Sequence, residues 1–201
     1  MFQPKTVGLL LAAGQGRRFD PTGIQNKLTY ILDNGTPVAV QAARNLRGAV
    51  TKVIAVVRCP ILAQQLAKAG CDVHLFSQAE ESGMGSSLAF AMRHVVDAMN
   101  VDSVLVALAD MPFVQTETSR KIAEALIDGV DIAQPVFRHQ SGQQQTGHPI
   151  GFSKHHFPAL MALAGDIGAR HLLHEFSVHH VVVEDAGILR DIDFPSDLRR
   201  Y

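Results

Sequence analysis

A short apolar run near the start of the chain breaks into Leu11-Ala12-Ala13-Gly14-Gln15-Gly16-Arg17-Arg18, with Lys27 downstream. Small residues let backbone approach a ligand closely, and exposed N–H groups in such a loop can cradle phosphate. Two familiar phosphate loops are excluded. Phe19 stands where the dinucleotide fingerprint G-x-G-x-x-G needs its third glycine, and no Gly-Lys-Ser/Thr occurs, which removes the P-loop. A glycine loop beside Arg17, Arg18 and Lys27 suits a triphosphate better than a neutral ligand. The plainer alternative is a turn with three solvated cations.

Carboxylates supply the second kind of chemistry. Asp110 follows the apolar stretch Ser103–Leu108, and an acid at the carboxyl end of a buried strand is well placed to hold Mg2+. A turn or capping aspartate is the alternative there. Asp191 and Asp193 fall on one side of an extended backbone, where they repel unless a cation or donor lies between them. The alternative is a solvated cluster before a terminal helix with Ser196 as N-cap. Gly83-Met84-Gly85-Ser86-Ser87 precedes a helical pattern, so unpaired N–H groups and a partial positive charge are expected, with Ser86 or Ser87 as the cap. His148, in Gly147-His148-Pro149, is a hydrogen-bonding group between a polar stretch and an apolar strand. Asp166 and Arg170 lie in Gly165-Asp166-Ile167-Gly168-Ala169-Arg170, which reads as a helix-linking turn or as pocket lining. His171 and His174 are three apart on a helical segment and could share a metal. The pairs His155-His156 and His179-His180 cannot. No zincin pattern is present, so a histidine zinc site is not expected.

These groups need a scaffold. Short β-branched or apolar runs predict strands at Thr6–Ala12, Lys52–Val57, Asp72–Phe76, Ser103–Leu108, Asp131–Val136 and Val178–Glu184, mostly buried on both faces. Helical periodicity marks Ser86–Met99, Thr116–Ile127, His155–Ala164 and Ala169–Phe176. Strand alternating with helix implies right-handed βαβ units, a mainly parallel sheet and ligands at the strands' carboxyl ends. The polar stretch Arg138–Gly147 reads as a solvated loop or a flap over the site.

Composition narrows the classes. The 201 residues suit one domain, 1–201, with a core of its own, and 47% hydrophobic against 18% charged residues excludes disorder. Lys+Arg number 18 and Asp+Glu 19, so there is no bulk attraction for nucleic acid or acidic membrane. Cys59 and Cys71 have neither a CxxC nor a zinc spacing, which favours a reducing compartment. The apolar run Val7–Ala13 is far short of the roughly 20 residues that cross a bilayer and does not read as a signal peptide. A cytoplasmic protein is expected.

Taken together, the motifs resemble the nucleotidyltransferases related to the molybdenum cofactor cytidylyltransferases and guanylyltransferases. Leu11, Ala12, Ala13, Gly14, Gly16 and Arg18 match the loop L-A-A-G-x-G-x-R, and Asn26-Lys27-Leu28 looks like the family's lysine segment. G-M-G-x-S-L, L-x-D-M-P, G-H-P and G-D-x-G-A-R have counterparts at Gly83–Leu88, Leu108–Pro112, Gly147–Pro149 and Gly165–Arg170. Asp191–Leu198 resembles D-I-D-T-P-x-D-L. The departures are Phe19-Asp20 for the usual Met-Gly, a longer spacer Pro21–Asn26, and Phe194 in place of Thr.

The resemblance implies an α/β, single-domain, three-layer Rossmann-like nucleotidyltransferase fold with a mainly parallel central sheet. It implies a Mg2+-dependent enzyme that passes a nucleoside monophosphate, CMP from CTP by the Leu-Ala-Ala-Gly form of the loop, to the phosphate of molybdopterin and releases pyrophosphate. Asp110 and Asp193 would hold Mg2+, and Arg18 and Lys27 would neutralise the leaving pyrophosphate. The nucleotide would contact residues of 11–16 and Gly83, Gly85, Ser86 and Ser87. His148, Asp166 and Arg170 would face the acceptor, and a molybdoenzyme could receive the product. A sugar- or polyol-phosphate nucleotidyltransferase, and a non-catalytic cofactor-binding accessory protein of the same fold, are the alternatives.

Overall fold

The computed structural model describes residues 5–14, 16, 18–20, 22, 25–77, 83–98 and 100–199. Its strands are β1 (Thr6–Ala12), β2 (Lys52–Val57), β3 (Asp72–Leu75), β4 (Ser103–Leu108), β5 (Ile132–Arg138), β6 (Gln144–Thr146), β7 (Ile150–Ser153) and β8 (His179–Val183). Six α-helices accompany them among the described residues: α1 (Val38–Arg47), α2 (Pro60–Lys68), α3 (Met84–Ala98), α4 (Thr116–Ile127), α5 (Phe157–Met161) and α6 (Leu172–Glu175).

The sheet runs β3-β2-β1-β4-β7-β5-β6, with β8 added to β5. From β3 to β4 every pairing is parallel, as is β5 with β8, whereas β7 lies antiparallel to both β4 and β5. A parallel strand must be reached by a crossover, and α1, α2, α3 and α4 are those crossovers. The short return from β5 through β6 to β7 needs none. The stretch Arg138–Gly147 is therefore a hairpin rather than a flap: β5 and β6 pair from Val136↔Thr146 to Arg138↔Gln144, and only its tip is loop.

Side-chain alternation on β1 divides the core into two layers. Val7, Leu9 and Leu11 pack with Leu88, Met92 and Val95 of α3 and with Leu160 and Leu172. Leu10 and Ala12 face the opposite way, against Ala39 and Leu46 of α1, Leu62 and Leu66 of α2, and Ile122 and Leu126 of α4. This is the α/β three-layer architecture expected. The sequence reading missed α1 and α2, and it ran α5 and α6 too long: 3-10 turns at Lys154–His156 and Ala169–His171 occupy their first residues. Met99, the expected end of α3, lies outside the described residues. No helix among the described residues is long and apolar enough to cross a membrane.

Candidate active site

The C-terminal ends of β1, β2 and β4 open on one cavity of about 550 Å³, whose lining includes Ala13, Gly14, Gly16, Arg18, Lys27 and Asp110. The residue order explains how a glycine loop and a lysine separated by an unusual spacer still meet. Phe19 is buried and packs edge-on to Tyr30 with ring centroids 6.1 Å apart. Asp20 ties the spacer down by accepting from the backbone of Thr22 and Gln25. Asn26 accepts from the Leu28 N–H and starts the 3-10 turn Lys27–Thr29. Gly16 has φ +61, a backbone conformation that favours glycine, and lies over the Lys27 stem. The departure at Phe19 is thus an anchor: an apolar ring fixes the loop from below.

Lys27 Nζ donates to Asp110 Oδ2 at 2.6 Å and to Asp193 Oδ1 at 3.1 Å. Arg18 Nη1 lies 2.5 Å from Asp193 Oδ2. Backbone carries the two acids to the same place, because Ile192 N donates to Asp110 O at 2.9 Å and sets Asp193 beside it. Asp197 then accepts from the N–H groups of Asp193 and Phe194. The expected Ser196 cap is replaced by this aspartate, whose carboxylate reaches back over the turn. Burial alone would lower the Lys27 ammonium, but Asp110 and Asp193 outweigh it and hold its pKa above the ordinary value. Burial, and next the charge of Asp193, push the Asp191 carboxyl up. The repulsion expected of these alternate acids is therefore present, and the donors that relieve it at Asp193 are Lys27 and Arg18.

A divalent cation fits the donor set. Two hard carboxylates, Asp110 just after β4 and Asp193 on the irregular segment before the last 3-10 turn, converge on a single cation, here an ammonium, and no third His, Cys, Asp or Glu completes a metal cage among the described residues. A site that supplies two carboxylates and leaves the remaining positions to phosphate and water suits Mg2+ or Mn2+.

Other expected contacts divide. Leu11, Ala13, Gly14, Gly16, Gly83 and Ser87 line the cavity, as does Met84, which sequence reasoning had not singled out. Ala12 points into the opposite core layer. Gly85 and Ser86 serve a different purpose from the one expected: Gly85 N donates to Gly165 O at 2.9 Å, and Ser86 Oγ accepts from Gly165 N at 2.8 Å. Neither serine caps the helix. α3 begins at Met84, and Ser87 Oγ donates back to Met84 O. The G-M-G glycines permit this close docking. A Cβ on Gly85 would come within 2.3 Å of Ile167 O. Arg17 lies outside the described residues.

Beyond Leu11, Met84, Leu108 and Asp166, which both spaces share, opens a second cavity of about 1190 Å³. His148, Asp166 and Arg170 line it, as the sequence suggested, and so do His171 and His174. Gln134, Thr146 and His180 are additional polar walls. Gln134 was visible as the lone amide in the apolar run of β5. It is buried and donates to Gly147 O at 3.3 Å. His148 Nδ1 lies 3.4 Å from Val106 O, and burial holds its pKa below 6.5.

A pH effect follows from that burial. The unfolded chain takes up a proton below about pH 6.5 that folded His148 resists, so stability declines toward acid, by at most about 1.4 kcal/mol per pH unit from this group. His74 and His156, lowered by burial as well, act in the same direction. His148→Gln is expected to flatten the loss of stability between pH 6.5 and 5 relative to wild type. Denaturant titrations across that range check this, and an unchanged slope contradicts it.

Over 98% of its length the chain is 29% identical to the purine catabolism protein PucB of Bacillus subtilis (strain 168), covering 96% of that protein. The crystal structure of Rv0371c from Mycobacterium tuberculosis H37Rv superposes with a TM-score of 0.78 at 27% identity, over 98% of this chain and 97% of that one. A complex of Rv0371c with manganese gives 0.70 at 25% identity, with the same coverage. The family model for the MobA-like NTP transferase domain matches residues 8–181, and the chain belongs to that nucleotidyltransferase family.

Proposed function

We propose that this nucleotidyltransferase moves CMP from CTP to the phosphate of molybdopterin, as carried in the molybdenum cofactor, and releases pyrophosphate. The observation that carries the reading is the convergence of Arg18, Lys27, Asp110 and Asp193 on a cavity that opens directly into a second, larger one. In the reaction an acceptor phosphate oxygen bonds to the α-phosphorus, the bond from that phosphorus to the bridging oxygen breaks, and its electron pair leaves with pyrophosphate. The acceptor oxygen is already anionic near neutral pH, so no strong general base is needed. The protein's task is alignment and charge screening.

The glycine loop at Gly14 and Gly16 receives the triphosphate, and Arg18 and Lys27 neutralise the departing phosphates. Asp110 and Asp193 would hold Mg2+, which supplies Lewis-acid screening of the phosphate oxygens when bound. The similarity to a manganese complex supports the use of a divalent ion. His148, Asp166 and Arg170 orient the acceptor in the second cavity. That cavity's apolar wall, formed in part by Val106, Ile150, Phe152 and Val178, suits a fused ring better than a sugar or polyol. A molybdoenzyme would receive the product, and similarity to a purine catabolism protein supports a place in that metabolism.

Ala13 places a methyl group at the nucleotide cavity, which crowds a purine more than a pyrimidine. CTP is therefore expected to exceed GTP in kcat/KM by roughly 5- to 150-fold, the value of one mismatched buried hydrogen-bonding group at about 1–3 kcal/mol. Pyrophosphate release with each of the four NTPs, with and without the cofactor, is the test. A GTP value equal to that for CTP refutes the cytidylyl reading. Turnover with sugar phosphates but not with the cofactor refutes the acceptor.

A further inference from the structure

Lys27 is engaged by both carboxylates of the site. Its side chain is 10% exposed, its stem passes beneath Gly16, and its ammonium lies against both Asp110 and Asp193. The second oxygen of Asp193 is taken by Arg18, whose side chain is 71% exposed. The two carboxylates that would hold a metal are thus matched by two cations of the chain itself. A divalent ion entering between them would meet an ammonium within hydrogen-bond distance of both acids, and at that range, shielded from water, like charges repel strongly. A triphosphate changes the balance, because it offers Lys27 and Arg18 a new concentration of negative charge. Lysine is suited to such a transfer: its point charge rides on a flexible four-carbon stem and needs no fixed fork geometry.

We propose that Lys27 is an internal stand-in cation that reserves the Asp110–Asp193 pair, so that a divalent metal enters only as the nucleotide's phosphates draw the ammonium away. The inference rests on the reading that these two acids hold the metal. Its consequence is an order of assembly. Metal alone binds poorly, and nucleotide and metal bind cooperatively, each favouring the other by the same factor.

The test uses Mn2+ alone, without nucleotide, and follows binding by electron paramagnetic resonance and thermal stability together. Wild-type protein is expected to bind Mn2+ weakly and to melt at the same temperature with or without it. Lys27→Met keeps the stem and removes the charge. It is expected to bind Mn2+ at least ~10-fold more tightly, to melt lower than wild type without metal, and to recover with it. Lys27→Arg keeps the cation and is expected to behave as wild type. If Lys27→Met is unfolded on its own, Mn2+ is expected to restore its fold, and failure to do so overturns the proposal. So does a folded Lys27→Met whose Mn2+ affinity equals wild type, provided that this binding is lost in Asp193→Asn. If Mn2+ binding survives both Asp110→Asn and Asp193→Asn, the metal reading itself falls.

Discussion

Asp110→Asn is expected to cut pyrophosphate release on the order of 10³-fold, about 4 kcal/mol of transition-state stabilisation, while the protein stays folded. Asparagine has nearly the same shape and can still accept the Lys27 hydrogen bond now made at 2.6 Å. What it lacks is the negative charge that the proposed metal and the Lys27 ammonium both require at the end of β4. The fold does not depend on that charge, since the Asp110 side chain is 22% exposed and the backbone bond to Ile192 is untouched. Circular dichroism and a melting curve establish the fold, and turnover measured against Mg2+ concentration establishes the role. Wild-type turnover at both limiting and saturating Mg2+ would remove Asp110 from the chemistry. A defect cured by Mg2+ would show that affinity, rather than the reaction step, had been lost.

Gly85→Ala is the second large effect, and it comes from packing rather than charge. The new methyl would lie 2.3 Å from Ile167 O and 2.8 Å from Ala164 O, both of them backbone atoms that no rotamer can move aside. The 164–168 turn must shift, and Gly165 must give up the bond it accepts from Gly85 and the one it donates to Ser86 Oγ. Overpacking of this kind costs about 1–3 kcal/mol, or roughly 2–12 °C in Tm for a chain of this size. Because Met84 and Asp166 border both cavities, KM for CTP and for the acceptor is expected to rise together. Gly14→Ala makes the contrast. Among the described residues nothing lies within 4 Å of a methyl added there, so Tm is expected to hold while nucleotide KM rises, because the methyl projects into the cavity proposed for the triphosphate. Equal melting losses in the two variants would refute the distinction between a docking glycine and a ligand-facing one.

That distinction marks the boundary of what the sequence shows. Strands β1, β2 and β4 and helix α4 have the limits their apolar patterns predict, because their signal is local. So is the signal of Asp110, a lone acid after a buried run. The purpose of Gly85 is not local: it depends on a turn eighty residues away in sequence, at Gly165. The register of Lys27 beneath the glycine loop was likewise hidden, since it depends on how deeply Phe19 sinks against Tyr30. Helices α1 and α2 escaped notice because much of each is alanine and glutamine, and in α2 only Leu62 and Leu66 mark the buried side. The reversal at β7 was missed for the opposite reason. Ile150-Gly151-Phe152 is apolar in either direction, and only the short hairpin return decides that it runs antiparallel.

The division of the two cavities along the chain has a bearing on how the protein can change. Apart from Asp166, Asp191 and Asp193, the nucleotide cavity draws its walls from the segment before residue 111, whereas the second takes most of its own from residues 134–180. If the two cavities take donor and acceptor as proposed, recognition of each is written in a separate stretch of the gene. Replacing the later stretch with that of a relative leaves the glycine loop, Lys27 and both metal-facing acids in place. Such a chimera would inherit a new acceptor without having to reinvent the transfer, a route by which one scaffold could diversify across many phosphorylated partners.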